Sequence, residues 1–333
     1  MKKYMAYGIG AALVDTEIKV QDTELAQMNV EKGLMTLVDE DRQSELIGHL
    51  QGHLVKASHA SGGSAGNSMI ATAQFGGPTF MSCKVANDSD GDIYIADLEA
   101  AGVDHCFAGE RDGGTTGKCL VLITPDAERS MNTFLGISES LSTAQLDADA
   151  IAASEYVYLE GYLVTSPTGR AAAIKAREIA QAAGVKTALS FSDPGMVEFF
   201  RDGMAEMIGE RLDLVFCNED EALGWAQSDS LDTAVEKLKE VANTFVITRG
   251  GDGALTFDGN KLTEVSSHKV KAVDTNGAGD MFAGAFLYAI TRGEDFPTAG
   301  RFASLAAGRI VANYGPRLPA GEYGALRKEF FGE

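Results

Sequence analysis

The sequence predicts an α/β protein: a mostly parallel sheet covered by helices on both faces. Between about residues 64 and 310, short apolar runs alternate with longer segments of helical periodicity. Parallel strands need such crossover helices to join them. The runs are almost continuously apolar, as strands buried on both faces are. No Pro/Ser-rich linker, low-complexity tract or internal repeat divides the chain. One domain over residues 1–333, carrying an excursion, is therefore expected.

The elements are expected as follows. Residues 13–20 and 33–38 read as short strands and 40–54 as a helix with two interior glycines, together forming an appendage. Residues 69–75 look helical and stop at Gly76-Gly77. A strand at 79–85 leads to a helix at 89–101 ended by Gly102, since glycine accepts the left-handed C-terminal turn. Residues 105–117 are Gly-rich and polar, an exposed turn. Strands follow at 118–124 and 155–159, then an Ala-rich helix at 168–183 with Gly184 as its stop. Residues 185–190, 212–217 and 245–248 are buried-strand runs, and 231–241 is helical. Residues 269–273 read as a strand running into a helix with Phe282, Ala285, Phe286, Ala289 and Ile290 on one face.

Composition narrows the function. The 28 Lys+Arg face 48 Asp+Glu, a formal net charge of -20, with no basic run beyond Lys2-Lys3. Such a surface repels nucleic acid and anionic lipid. The four cysteines have no CxxC spacing, which argues against a zinc ribbon or redox dithiol and for free thiols in a reducing, cytoplasmic setting. No signal-peptide pattern and no apolar run of membrane-spanning length are recognised. Gly8-Ile-Gly10 lacks the third glycine of a dinucleotide fingerprint, and the Gly-rich run 113–119 puts Cys119 where a P-loop needs a hydroxyl. His49, His53 and His59 read as solvated rather than as a metal trio.

The chemistry concentrates in Asp274-Thr-Asn-Gly277-Ala278-Gly279-Asp280. A helix starting there leaves its first amides unpaired and aimed at an anion, with the helix dipole adding positive potential. Asp280, in the first turn, stands beside that anion hole. A carboxylate base next to an anion hole is the equipment for phosphoryl transfer to a hydroxyl. Gly62-Gly63-Ser64-Ala65-Gly66-Asn67 lets the backbone approach a ligand and offers an amide that both donates and accepts. Asn218-Glu-Asp-Glu221 can hold Mg²⁺ through water at a strand end. Thr248-Arg-Gly250-Gly-Asp-Gly253 sits at the sheet end where open α/β folds bind ligands.

Taken in this order, the segments resemble the PfkB, or ribokinase-like, family of carbohydrate and nucleoside kinases. The resemblance implies a three-layer α/β/α domain with a small β lid from roughly 11–60 and 105–133. It implies Asp280 as the base that deprotonates a primary hydroxyl attacking the γ-phosphorus of ATP. Gly277, Ala278 and Gly279 would supply the anion-hole amides. Asp15, Gly62, Gly63 and Asn67 would grip the acceptor; Asn218, Thr248, Gly250 and Gly253 would line the nucleotide site. Asn218 and Glu221 would organise Mg²⁺ through water, with K⁺ near Asp274 and Gly315 as a possible further ion. Within the family, residues 117–130 are similar to the lid segment of adenosine kinases, which gives Arg129 a place beside the transferred phosphate. Ala11, and the pair Ser304 and Leu305, depart from that pattern. The expected acceptor is an adenosine-like nucleoside, with ribose, fructose or a keto-deoxy sugar acid as the alternative. A non-catalytic nucleotide- or metabolite-binding regulator is the distant alternative, disfavoured by the intact Asp280. A homodimer through the lid is compatible with the resemblance.

Overall fold

The structure, a computed structural model, describes residues 2–50, 52, 58–107 and 109–333, with the main chain alone at 58–60. The chain begins with β1 (Tyr4–Ile9), then leaves for β2 (Leu13–Lys19), α1 (Asp22–Gln27), β3 (Met35–Leu37), α2 (Glu40–His49) and β4 (Ser58–Gly62). It returns through α3 (Ser64–Gln74), β5 (Thr79–Ser82), α4 (Ser89–Ala101) and β6 (Val103–His105). A second excursion forms β7 (Gly117–Ile123) and β8 (Arg129–Phe134). The alternation then resumes with α5 (Ala148–Ala152), β9 (Ser154–Glu160), α6 (Pro167–Ala182), β10 (Lys186–Ser190), α7 (Pro194–Phe199), α8 (Arg201–Ile208) and β11 (Leu212–Asn218). After α9 (Glu219–Ala226), α10 (Leu231–Val241) and β12 (Ala242–Thr248) come the antiparallel β13 (Ala254–Phe257) and β14 (Leu262–Val265). Helices α11 (Ala278–Thr291), α12 (Phe296–Val311) and α13 (Ala320–Phe331) close the chain.

Nine strands form the main sheet in the order β14-β13-β12-β11-β10-β9-β1-β5-β6, parallel from β12 through β6. The two faces follow the period-2 alternation of each strand. Tyr158, Ala188, Leu214, Phe216 and Val246 pack under α3, α11 and α12. Val157, Leu159, Leu189, Val215 and Ile247 pack on the opposite side with α6 and α8–α10. The helices begin where their caps dictate. Asp88 accepts from the Gly91 amide to start α4, and Ser166 from the Gly169 amide to start α6. The left-handed Gly102 ends α4.

The excursions pair into a separate five-stranded sheet, β3-β8-β7-β2-β4. One face packs Ile18, Leu120 and Leu122 against Leu25, Met28, Leu46 and Leu50 of the α1 and α2 region. The other presents Cys119, Val121 and Ile123 with Leu13 and Met131. Its second arm runs from 117 to 134 rather than from 105, because residues 103–105 extend the main sheet beside β5.

Two expected elements differ. Residues 269–273 form no strand: β14 closes that edge of the sheet, residues 268–272 are exposed, and no strand pairs with them. The apolar alternation of Val270 and Ala272 therefore marks no buried face. The helix expected at 40–54 ends at His49; Leu54 lies outside the described residues, as does His53.

Phe302 illustrates how the helical layer is held. It is fully buried and its ring meets Phe75, Tyr288, Phe330 and Phe331. Phe302→Ala is expected to lower stability by about 3–5 kcal/mol, read as a lower midpoint in chemical denaturation. A loss under about 1 kcal/mol would mean that the neighbouring rings collapse into the space.

Candidate active site

The carboxyl ends of β1, β9, β10, β11 and β12 converge on one cleft, the place where open α/β sheets receive ligands. The second sheet roofs it. The cleft measures about 370 Å³. Its floor carries Gly63, Ser64, Asn67, Glu160, Asn218, Glu221, Thr248, Gly277, Gly279 and Asp280; its roof carries Leu13, Asp15, Met35, Cys119, Arg129 and Met131.

Asp280 occupies the first turn of α11, and Gly277 is the N-cap with φ of 72°. A Cβ at Gly277 would stand 2.6 Å from the Pro316 carbonyl oxygen, so both conformation and space require glycine there. Among the described residues, the amides of Gly277, Gly279 and Asp280 have no acceptor. The Ala278 amide does not join them: it turns back to the Thr275 carbonyl at 3.2 Å. The free amides of this turn are therefore those of residues 277, 279 and 280, because a tight turn consumes the amide between them.

The Asp280 carboxylate accepts from Ser64 Oγ at 2.6 Å and from Asn67 Nδ2 at 2.9 Å. Burial raises its pKa; the Ser64 and Asn67 bonds and the charges of Arg129 and Arg317 oppose the rise. Ser64 was not singled out by sequence; it matters because it begins α3 at the foot of α11. Asp15, on β2, is buried with its Oδ1 unpartnered. Burial, then the nearby Glu17, push its carboxyl up to about 8. Gly62 lies outside the cleft wall, since a Cβ there would fall 2.0 Å from Asp15 Oδ1. Its role is to admit the Asp15 side chain. Gly63 lines the cleft with φ of 86°.

Arg129 opens β8. Its Nη1 reaches the Thr275 carbonyl at 3.4 Å, and its buried Nε has no partner. The roof thus delivers an incompletely satisfied guanidinium to the turn that starts α11. Asn218 and Glu221 lock together in a capping box: Asn218 Oδ1 accepts the Glu221 amide at 2.8 Å, while the Asn218 amide and Nδ2 donate to Glu221 at 3.0 and 2.8 Å. Burial pushes the Glu221 carboxyl up to about 8. Thr248 lines the cleft, whereas Gly250 and Gly253 lie outside its wall. Gly253 is pressed against the Val265 carbonyl, where a Cβ would stand 2.0 Å away, so it serves the hairpin turn.

Glu160, at the end of β9, was not foreseen. It accepts from the amides of Ala11 and Ala65 at 3.1 and 2.8 Å, tying the start of the excursion to the start of α3. Burial pushes its carboxyl up to about 7. It also explains Gly10: a Cβ there would collide with Glu160 Oε2 at 2.3 Å. Gly8 is hemmed in likewise by Met69, so this glycine pair serves packing rather than dinucleotide binding. No group of three metal-ligating side chains occurs among the described residues, which leave out His53 and the His59 side chain. No helix there is long and apolar enough to cross a membrane.

Asp15, Glu160 and Glu221 share one consequence. Their folded-state pKa values lie above the ordinary 3.8 and 4.5, so folding favours their protonated forms. The stability they contribute is complete below the ordinary carboxylate range and is lost as pH rises through about 7 to 8. The melting temperature of the free protein is expected to fall between about pH 4 and pH 8 and to level off above it. Asp15→Asn removes one of the three titrations and should flatten that fall. An equal slope in this variant would show that Asp15 titrates as it does in the unfolded chain.

Comparison with known proteins agrees with the fold. Residues 34–321 match the family model described as pfkB family carbohydrate kinase. The adenosine kinase of Saccharomyces cerevisiae is 28% identical over 333 residues, covering 94% of this chain and 96% of that protein. The crystal structure of a probable sugar kinase protein from Rhizobium etli CFN 42 superposes with a TM-score of 0.93 at 31% identity, over 99% of each chain. The adenosine kinase from Sinorhizobium meliloti superposes with a TM-score of 0.92 at 33% identity, over 98% of this chain and 99% of that one.

Proposed function

Since the chain belongs to the pfkB family of carbohydrate kinases, and so is a phosphotransferase with an alcohol group as acceptor, we propose that it moves the γ-phosphoryl group of ATP to the primary hydroxyl of an adenosine-like nucleoside. One observation carries the choice of acceptor. The roof sets Leu13, Met35 and Met131 beside the polar grip of Asp15 and Asn67. Such a cleft offers hydroxyl partners on one side and an apolar, polarisable face for a planar base on the other. Among the described residues, Arg129 is the single cation lining the cleft, and a sugar acid would call for more.

Asp15 Oδ1 and the remaining N–H of Asn67 complement a vicinal diol. Asp280 then stands to accept the proton of the primary hydroxyl as its oxygen attacks the γ-phosphorus. The amides at 277, 279 and 280 and the Arg129 guanidinium face the charge that develops on the transferred group. The second sheet acts as a lid that excludes water during transfer. Pairing of two chains through that sheet is part of the same proposal.

The Asn218–Glu221 pair fits Mg²⁺ held through water. It is a buried carboxylate whose raised pKa marks a site short of positive charge, and each of its oxygens is already engaged by one Asn218 N–H. When bound, Mg²⁺ would screen the phosphate charges of the nucleotide. The fit for K⁺ is poorer. Asp274 is fully buried away from the cleft wall, and its two oxygens accept amides from Asn276 at 2.8 Å and Gly315 at 3.0 Å. No step is assigned to K⁺.

The test is ADP production with MgATP and a panel of adenosine, inosine, guanosine, ribose, fructose and 2-keto-3-deoxygluconate. Adenosine-type nucleosides should give the highest kcat/KM. Turnover confined to a free sugar would leave Asp280 in place and overturn the reading of the roof.

A further inference from the structure

Arg317 lies in the loop between α12 and α13, far along the chain from everything it binds. Its Nε and Nη2 both donate to Asn67 Oδ1, each at 3.1 Å. Nη1 donates to Asp97 on α4 at 2.5 Å. Nη2 also reaches Ser61 Oγ at 2.6 Å and the Ser61 carbonyl. Asp97 in turn accepts the Ser61 hydroxyl and, at 3.3 Å, the Ser61 amide. One guanidinium thus grips the strand that leads into Gly62-Gly63 and the amide that touches Asp280.

We propose that Arg317 is a positioning residue for phosphoryl transfer: it holds Asn67 in the one orientation that donates to Asp280, and so tunes the base from behind the acceptor site. The proposal rests on the reading of Asp280 as that base. A primary amide has a donor end and an acceptor end. With the carbonyl end fixed by two guanidinium N–H groups, the amino end must face Asp280. The flipped amide would set N–H against N–H and a carbonyl oxygen against a carboxylate. An ion pair with Asp97 alone would contribute little to stability, because Asp97 is partly exposed. The forked contact on Asn67, which is 5% exposed, is what links Arg317 to the chemistry.

The same loop braces the other parts of the site. Gly315 donates to Asp274, the Pro316 backbone packs on Gly277, and Tyr314 lies under the Lys19 ammonium at 3.6 Å. Among the described residues, Arg129 from β8, Arg317 from this loop, Asp15 from β2, and Tyr158, Glu160 and Tyr162 on and after β9 act electrostatically with Asp280. Removing Arg317 takes away one of the two positive charges that, among the described residues, lower the Asp280 pKa, and it frees Asn67. Both changes destabilise the ionised base.

The experiment compares pH–rate profiles of wild type, Arg317→Met and Arg317→Lys with the same acceptor. Arg317→Met should lower kcat about tenfold or more and move the acid limb to higher pH. Arg317→Lys keeps the charge without the fork; its acid limb should move less than that of Arg317→Met while kcat recovers only partly. In combination with Asn67→Ala, Arg317→Met should add almost nothing to the loss in kcat at pH values above the acid limb, because its charge moves the limb and only its hold on Asn67 acts on the plateau rate. An unmoved acid limb in Arg317→Met, or losses that multiply in the double variant, would overturn the proposal. Should Arg317→Met not fold, Asp97→Asn weakens the Nη1 anchor and the Ser61 bonds and should shift kcat and the acid limb the same way to a smaller extent; no shift overturns the proposal equally. Asp280→Asn runs alongside. An active Asp280→Asn removes the base itself, whereas an inactive one beside an unchanged Arg317→Met removes only the role of Arg317.

Discussion

Asp280→Asn is expected to lower kcat by about a hundred- to ten-thousand-fold, the range a positioned general base contributes. Acceptor binding should survive. The amide has the shape of the carboxylate, and its two ends suit the site: the carbonyl can take the Asn67 Nδ2 donor, and the amino group can face Ser64 Oγ. Calorimetric titration with the acceptor, set beside single-turnover rates, separates the two effects. A variant within tenfold of wild-type kcat would remove Asp280 from the role of base. The pH dependence has a definite sign. Asp280 must be ionised to accept a proton, and burial raises its pKa above the usual carboxylate value. Activity should therefore fall as pH drops through that raised pKa, with an acid limb lying above the ordinary aspartate range. A limb at the ordinary 3.8 would contradict the burial.

Arg129→Met is expected to lower kcat by about a thousand-fold, in line with other arginines that meet a transferring phosphoryl group. The physical ground is the incomplete pairing of Arg129. A buried Nε without a partner and an Nη1 on a carbonyl 3.4 Å away leave donors free for an anion. Arg129→Lys should restore little, since an ammonium cannot present two parallel donors to one phosphate. The KM for the acceptor should change much less than kcat, because the groups proposed to grip it lie elsewhere. Losing the charge also removes one influence that lowers the Asp280 pKa, so the acid limb should move upward as well. A variant with kcat intact and acceptor KM raised would make Arg129 a substrate-binding residue instead.

The parts of this site that could be read from sequence are those whose chemistry is local. A helix beginning after Asn-Gly-Ala-Gly-Asp leaves free amides and puts its first carboxylate beside them, whatever else the chain does. The bounds of α4 and α10 were legible for the same reason, their caps lying within the segment itself. Even here the finer detail needed the fold. Which amides remain free depends on Ala278 folding back to Thr275, and the strand expected at 269–273 has no sheet edge left to join. Ser64 lay inside a recognised motif, yet its partner is more than 200 positions away.

Order of segments, helix periodicity, buried-strand composition and the paired glycines thus set the α/β architecture and marked Asp280 and Asn67, and the family resemblance added Arg129 and Asp15. Tertiary structure decided how they act together. It brought Arg317 onto Asn67, Glu160 under Ala11 and Ala65, and Arg129 onto the turn before α11. It also raised the pKa values of Asp15, Glu160, Glu221 and Asp280 by burying them. Hydration and the field of neighbouring charges set a pKa, and both depend on residues that meet only when the chain has folded.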